Sequence, residues 1–193
     1  MKIENGIVAF DTWDEAFVQK FGFEEAANMV LNYKTLNPYP FIYDTYQLAH
    51  FLRIGRKGLC PYIAHIDQEY QTITIPKRNG GNRILHAPSD GLRRIQRKIL
   101  TEILSKMQVS PYATAYVKQG TLIRNAAPHV GKRYLLKLDI TDFFGSIRFE
   151  QIYSAAFNTR YFPKQVGVML TELCCYKGAL PQGARPRPHY LIW

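Results

Sequence analysis

The chain has 193 residues, 47% of them hydrophobic and 13% aromatic, and its 25 Lys and Arg against 15 Asp and Glu give a formal charge of +10. That apolar content suffices for one sizeable core and a smaller second one, which excludes a disordered chain. No window approaches the roughly 18 uninterrupted apolar residues of a membrane span, and the Met1-Lys2-Ile3-Glu4-Asn5 start lacks a secretory leader's apolar stretch, so a cytoplasmic globular protein is expected.

Two short amphipathic stretches, about 12–19 and 23–33, predict the first helices, and an Asn-Pro-Tyr-Pro loop at 37–40 interrupts the helical pattern. A third helix is expected over about 44–53. From Gln71 the apolar period changes to two: Gln71-Thr-Ile-Thr-Ile-Pro76 and Arg83-Ile-Leu-His-Ala87 flank Arg78-Asn-Gly-Gly-Asn82, whose residues tolerate positive φ, so a β-hairpin is expected. Pro88-Ser89-Asp90 offers a helix start, after which Leu92, Ile95, Ile99, Ile103 and Met107 recur in three- and four-residue steps. Arg93, Arg94, Arg97 and Lys98 lie mostly off that stripe, as a solvated face or a track for phosphates. Tyr134-Leu-Leu-Lys-Leu-Asp-Ile140 is too short for a buried helix and predicts a strand covered on both faces, with Asp139 at its end. Further helices are expected over about 149–157 and 163–176, with no internal repeat.

The basic balance, with a pI near 9.6, favours a polyanionic partner through counterion release, nucleic acid first. A membrane surface would need a basic amphipathic helix with an uncommitted apolar face, and none is evident. Cys60, Cys174 and Cys175 suggest buried thiols rather than a disulfide framework or a spaced zinc site.

Leu138-Asp-Ile-Thr-Asp-Phe-Phe-Gly-Ser-Ile147 is the stretch richest in chemistry. A carboxylate at the end of a buried strand, followed by another three residues on, is costly without a charge partner. A divalent cation is one such partner: magnesium prefers hard oxygen ligands, and Asp139 with the Ile140 carbonyl would suit it. A plain structural role stays open, Asp139 capping a turn and Asp142 pairing with a lysine.

This stretch resembles the first catalytic motif of bacterial reverse transcriptases. Other segments arrive in that family's order: Ile75-Pro-Lys-Arg-Asn-Gly-Gly-Asn-Arg-Ile84, Ala87-Pro88 and Leu92-Arg-Arg-Ile-Gln96 resemble its fingers hairpin and following helix. Asn125-Ala-Ala-Pro-His129 is similar to an element associated with retron reverse transcriptases, and Leu180-Pro-Gln-Gly-Ala184 to the Pro-Gln-Gly motif of the nucleotide pocket. The resemblance covers roughly Tyr46 to Ala184. It implies that Asp139 binds two catalytic Mg²⁺ ions, with Ile140 assisting, and that Asp142 sits near the incoming triphosphate. It further implies that Lys77 and Arg83 clamp the triphosphate across the hairpin, that Phe144 is an aromatic gate selecting deoxynucleotides, and that Gln182 and Gly183 line the pocket wall. Arg93, Arg94, Lys118, Arg124, Asn125 and His129 become candidates for contact with template RNA or the template-primer duplex, His129 in a structural or RNA-binding role.

The chain departs from the family after Ala184. Bacterial reverse transcriptases continue as Pro-Thr-Ser-Pro, one residue, then Leu-Ser-Asn, and later supply a Tyr-x-Asp-Asp turn, whereas this chain reads Arg185-Pro-Arg-Pro-His-Tyr-Leu-Ile-Trp193. One carboxylate site cannot hold a centre whose two ions lie ~4 Å apart, so the 193-residue chain is expected to lack polymerase activity. If the arginines use CGN codons, a one-base shift of frame permits Pro-Thr-Ser-Pro-Ala-Leu-Ser-Asn-Leu over the tail. A base lost near codon 184, with residues 185–193 out of frame, is therefore expected.

The expected fold is α+β: an N-terminal helical extension (1–68), reverse-transcriptase fingers (69–133) and an incomplete palm (134–193). The expected partners are template RNA, nascent DNA, dNTPs and a structured non-coding RNA, with no membrane. Alternative readings are a non-catalytic basic nucleic-acid-binding module and a group II intron, diversity-generating or phage-defence reverse transcriptase.

Overall fold

A computed structural model describes residues 1–12, 14–55, 57–77, 80–115 and 120–183. Its described residues mix helices with short antiparallel hairpins, an α+β composition. The first hairpin pairs β1 (Lys2–Glu4) with β2 (Ile7–Ala9) through Asn5 and Gly6, both at positive φ. This is the Asn-Gly pair that suits a tight two-residue turn. Helix α1 (Glu15–Phe21) begins later than the apolar spacing predicts: ahead of it the Asp14 carboxylate accepts from the Asp11 amide at 3.1 Å and the Asp14 amide donates to the Asp11 carbonyl at 2.9 Å. With α2 (Phe23–Leu36), these elements enclose a small core of Val8, Phe17, Ala26 and Val30, rimmed by aromatic rings that include Phe10, Phe41 and Tyr43.

A larger core is built from the rest of the chain. Helix α3 (Thr45–Leu52) starts at Asp44, whose side chain accepts from the Gln47 amide, and buries Leu48, Ala49 and Leu52. A short α4 (Leu59–Ala64), not anticipated from the sequence, adds Leu59. The main hairpin follows: β3 (Tyr70–Pro76) pairs with β4 (Asn82–Pro88) in a register running from Tyr70 opposite Pro88 to Pro76 opposite Asn82. The Lys77 amide donates to the Gly81 carbonyl to close the turn, where Gly80 and Gly81 take positive φ. Ser89 then caps α5 (Asp90–Glu102) by accepting from the Leu92 amide, and the predicted stripe of Leu92, Ile95 and Ile99 is buried. The α-helix ends at Glu102 rather than running on to Met107, and a 3₁₀ turn at Leu104–Lys106 takes over.

After α6 (Leu122–Ala126) and α7 (Phe143–Ser146), the predicted helix over 149–157 divides into α8 (Phe149–Ile152) and a π-helical turn, Tyr153–Phe157. Helix α9 (Lys164–Glu172) crosses that turn so closely that a Cβ on Gly167 would stand 2.6 Å from the Phe157 carbonyl oxygen, which only glycine permits. Gln96, wholly buried in α5, donates to the Tyr70 hydroxyl at 2.8 Å and to the Leu173 carbonyl at 3.0 Å, joining hairpin, helix and the end of α9. Cys174 and Cys175 are buried as expected, and burial pushes both thiols up, Cys175 to about 12. Cys60 is exposed, contrary to expectation, because its short helix turns Leu59 inward instead.

The largest departure concerns residues 134–140. The expected buried strand is absent: the segment forms no ladder, and Leu136 and Leu138 are about four-fifths exposed. A two-sided strand needs hydrogen-bonding neighbours and a covering layer, and no described residue supplies either. No helix among the described residues is long and apolar enough to cross a membrane.

Candidate nucleotide-binding site

The Pro-Gln-Gly loop docks on the free edge of β4, where the Gln182 carbonyl accepts the His86 amide at 2.8 Å. Gly183, at φ 105°, brings its backbone so near the strand that a Cβ there would lie 3.3 Å from the Leu85 Cβ. Below the loop, the Leu180 amide donates to Ile147, and Tyr176 and Ala179 exchange backbone hydrogen bonds. These links bring Ile84, His86, Asp142, Arg148, Tyr176 and Gln182 around one cavity of about 340 Å³.

Two of the sequence-derived candidates, Asp142 and Gln182, therefore share a cavity. Asp142 precedes α7 in the left-handed region (φ 46°), and its carboxylate lies over Gly145, where any side chain would collide with it. Phe144 is half-buried against the larger core and meets Phe143 edge to face at 5.4 Å, outside the cavity lining. Lys77 and Arg83 are exposed near the turn end of the hairpin. Arg83 stands opposite Ile75 while Lys77 bonds to Gly81, so the two sit diagonally across the turn; neither lines the cavity.

Asp139 and Ile140 lie exposed in the unladdered segment, away from the cavity lining. Among the described residues no group of three or more His, Cys, Asp or Glu side chains is placed to hold a metal ion. The residues described thus do not complete a two-ion centre.

The nucleic-acid candidates are scattered. Arg93 is engaged by its own helix start, donating to Asp90 at 2.8 Å and to the Pro88 carbonyl at 3.1 Å. Arg94 faces a cleft between α3 and α5. Arg124 sits in the last turn of α6, Asn125 accepts from the Thr114 hydroxyl at 3.0 Å, and His129 ends an exposed 3₁₀ turn. Lys118, and Ala184 with the tail 185–193, lie outside the described residues.

Sequence reasoning missed His86, Arg148, Tyr176 and Lys177. His86 lies on Tyr176 with ring centroids 4.4 Å apart, and the Lys177 amide donates to Asp67 at 3.1 Å. Strand alternation carried a signal for one of them: Ile84 and His86 share the face of β4 opposite to Arg83.

No family model matches the chain. Among curated proteins, it is 30% identical over 151 residues to the retron Ec86 reverse transcriptase of Escherichia coli, a match covering 77% of this chain and 47% of that protein. It is 32% identical over 137 residues to the retron Se72 reverse transcriptase of Salmonella heidelberg, covering 70% of this chain and 36% of the relative. A shorter match to the retron Mx65 reverse transcriptase of Myxococcus xanthus reaches 46% identity over 85 residues, 44% of this chain and 20% of that one. The chain belongs to the retron-type reverse transcriptases. It spans less than half the length of each of these relatives. For a retron-type reverse transcriptase, the docking of the Pro-Gln-Gly loop against the hairpin is the feature that gathers polar side chains into a concave site.

Proposed function

We propose that this chain carries the fingers and the first part of the palm of an RNA-directed DNA polymerase, which adds deoxynucleotides to a primer 3′-hydroxyl on an RNA template. The observation that carries this reading is the loop-to-hairpin docking, which sets Asp142 and Gln182 around one cavity beside β4. In this reading residues 1–68 are an N-terminal extension, 69–133 the fingers and 134–193 the incomplete palm. Gln182 and Gly183 form the pocket wall for a dNTP, Asp142 stands near its triphosphate, Lys77 and Arg83 reach it from the hairpin, and Phe144 discriminates against a 2′-hydroxyl. Asp139 and the Ile140 carbonyl are this chain's contribution to a Mg²⁺ site that needs further carboxylates. Arg93, Arg94, Lys118, Arg124, Asn125 and His129 contact template RNA and nascent DNA, and a structured non-coding RNA is the cognate template. The protein works in the cytoplasm without membrane attachment.

The test is primer extension on RNA. The 193-residue chain alone is expected to extend nothing. A protein carrying this sequence through Gly183 and continuing in the shifted frame is expected to extend the primer, and Asp139→Asn should abolish the activity. Undiminished extension by Asp139→Asn would overturn the assignment.

A further inference from the structure

Two sizeable cavities lie away from the Pro-Gln-Gly loop, lined by residues of α2, α3 and α5. One, of about 780 Å³, opens between the N-terminal elements and α3; the other, of about 560 Å³, opens between α3 and α5. They share Arg53, Ile54 and Lys98 and so adjoin as one groove. Six cationic or titratable basic residues line it: Lys34, His50, Arg53, Arg94, Arg97 and Lys98. Only two carboxylates do, and both are engaged. Asp14 is buried against the Met1 amine at 2.9 Å and accepts from Gln47 at 3.1 Å, while Glu102 pairs with Lys106 at 3.7 Å. Among the described residues, none of Lys34, Arg53, Arg94, Arg97 and Lys98 has a carboxylate within ion-pair distance.

Such a gathering opposes itself. Burial, then the neighbouring Arg53, pushes the Lys98 pKa below its usual value against a smaller upward pull from Glu102, and its Nζ is held 4.6 Å over the Phe51 ring. Arg53 closes α3 in the left-handed conformation (φ 59°), its amide donating to the Ala49 and His50 carbonyls. Glycine is the usual occupant of that position, and a bulky residue kept there against backbone preference points to a use for its side chain.

We propose that this groove is a second nucleic-acid site, which seats the phosphates of single-stranded RNA on Arg53, Lys98 and Arg97 and its bases against Phe41 and Phe51. A single strand, whose bases are unpaired and free to stack on aromatic rings, suits this lining better than a duplex. Aromatic walls beside arginine and lysine suit a chain of planar bases and phosphates better than an acidic peptide. The site is separate from the nucleotide pocket and rests on the polymerase reading only in the choice of RNA over other polyanions.

The test measures binding of a fluorescein-labelled 12-nucleotide single-stranded RNA of mixed sequence to the 193-residue chain by anisotropy, across a salt series. The double variant Arg53→Gln with Lys98→Gln is expected to bind at least ten-fold more weakly, with the slope of log affinity against log salt shallower by about 1.4, two phosphate contacts at ~0.7 each. Arg53→Gly guards against misfolding: it relieves the left-handed strain, so it should melt no lower than the parent while still losing affinity. Parent-like affinity and salt slope in both variants would overturn the proposal, as would tighter binding of a fluorescein-labelled polyglutamate peptide than of the RNA. Gln182→Ala separates the two readings. It should leave RNA binding in this groove unchanged even if the nucleotide-pocket assignment fails, and a loss of RNA affinity equal to that of the groove variants would overturn the separation of the sites.

Discussion

Helix α5 and the segment 134–140 are both rich in aliphatic side chains, yet they meet opposite fates. In α5, Leu92 and Ile99 are fully buried, and Gln96 ties the helix to Tyr70 and Leu173. In 134–140, Leu135, Leu136, Leu138 and Ile140 all stand largely in solvent. The difference lies in where each element finds its hydrogen-bond partners. A helix satisfies its own backbone and needs only one apolar face covered, whereas a strand must borrow partners from elsewhere in the fold. The carboxylate with the most chemical promise, Asp139, sits on the element that has not found them.

The largest effect expected from that contrast is at Ile99. Truncating a side chain with no exposure, at the centre of the larger core, leaves a cavity that its neighbours cannot fill, so Ile99→Ala should lower stability by about 2–5 kcal/mol in urea unfolding of the 193-residue chain. A loss below about 1 kcal/mol would mean that α5 is no better anchored than the exposed segment. Next in size is Gln96→Leu. It removes two buried hydrogen bonds and strands the Leu173 carbonyl, at a cost of about 1–3 kcal/mol, softened because the unpaired Gln96 Oε1 also disappears. Its effect should appear equally in unfolding followed by tyrosine absorbance and by circular dichroism, since the residue joins three elements.

The same contrast governs how much the amino-acid sequence reveals. The main hairpin is legible because β3 and β4 alternate and Gly80 and Gly81 mark the turn. The stripe of α5 is legible because Leu92, Ile95 and Ile99 repeat at helical spacing behind the Ser89 cap. The first hairpin is encoded just as locally, in Asn5-Gly6, but its three-residue strands are too short for the period-two pattern to stand out. The candidate site is only partly legible. Asp142 and Gln182 are marked by motifs, but His86 and Tyr176 are joined by packing between distant parts of the chain, which no local pattern encodes. The strand expected at 134–140 fails for the converse reason: its residues have the right character, but strand formation also depends on partners that local pattern cannot supply.

Ser89→Ala probes the local side of the comparison with a smaller expected effect. The Ser89 hydroxyl accepts from the Leu92 amide and donates to the Glu69 carboxylate, so it both caps α5 and ties that helix to the residue preceding β3. Its loss should cost about 1 kcal/mol, the usual worth of an N-cap, read as a shift in the urea midpoint with no change in slope. A changed slope would show that the cap also controls how much of the chain folds cooperatively, which would bring 134–140 back into the folding unit.

The smallest effect, at Leu138, is also the sharpest comparison. With its side chain about four-fifths exposed and its backbone outside any ladder, Leu138→Ser should alter stability by no more than about 0.5 kcal/mol, in the range of an ordinary surface change. The value of the measurement lies in the residue's position beside Asp139. If the substitution costs as much as Ile99→Ala, Leu138 must be covered in solution, and Asp139 then stands at the end of a buried strand where its charge demands a partner. If the cost is negligible in the 193-residue chain but large in a protein of full retron reverse-transcriptase length, the covering layer comes from residues beyond those described. The aspartate would then become a fixed ligand only when that layer assembles.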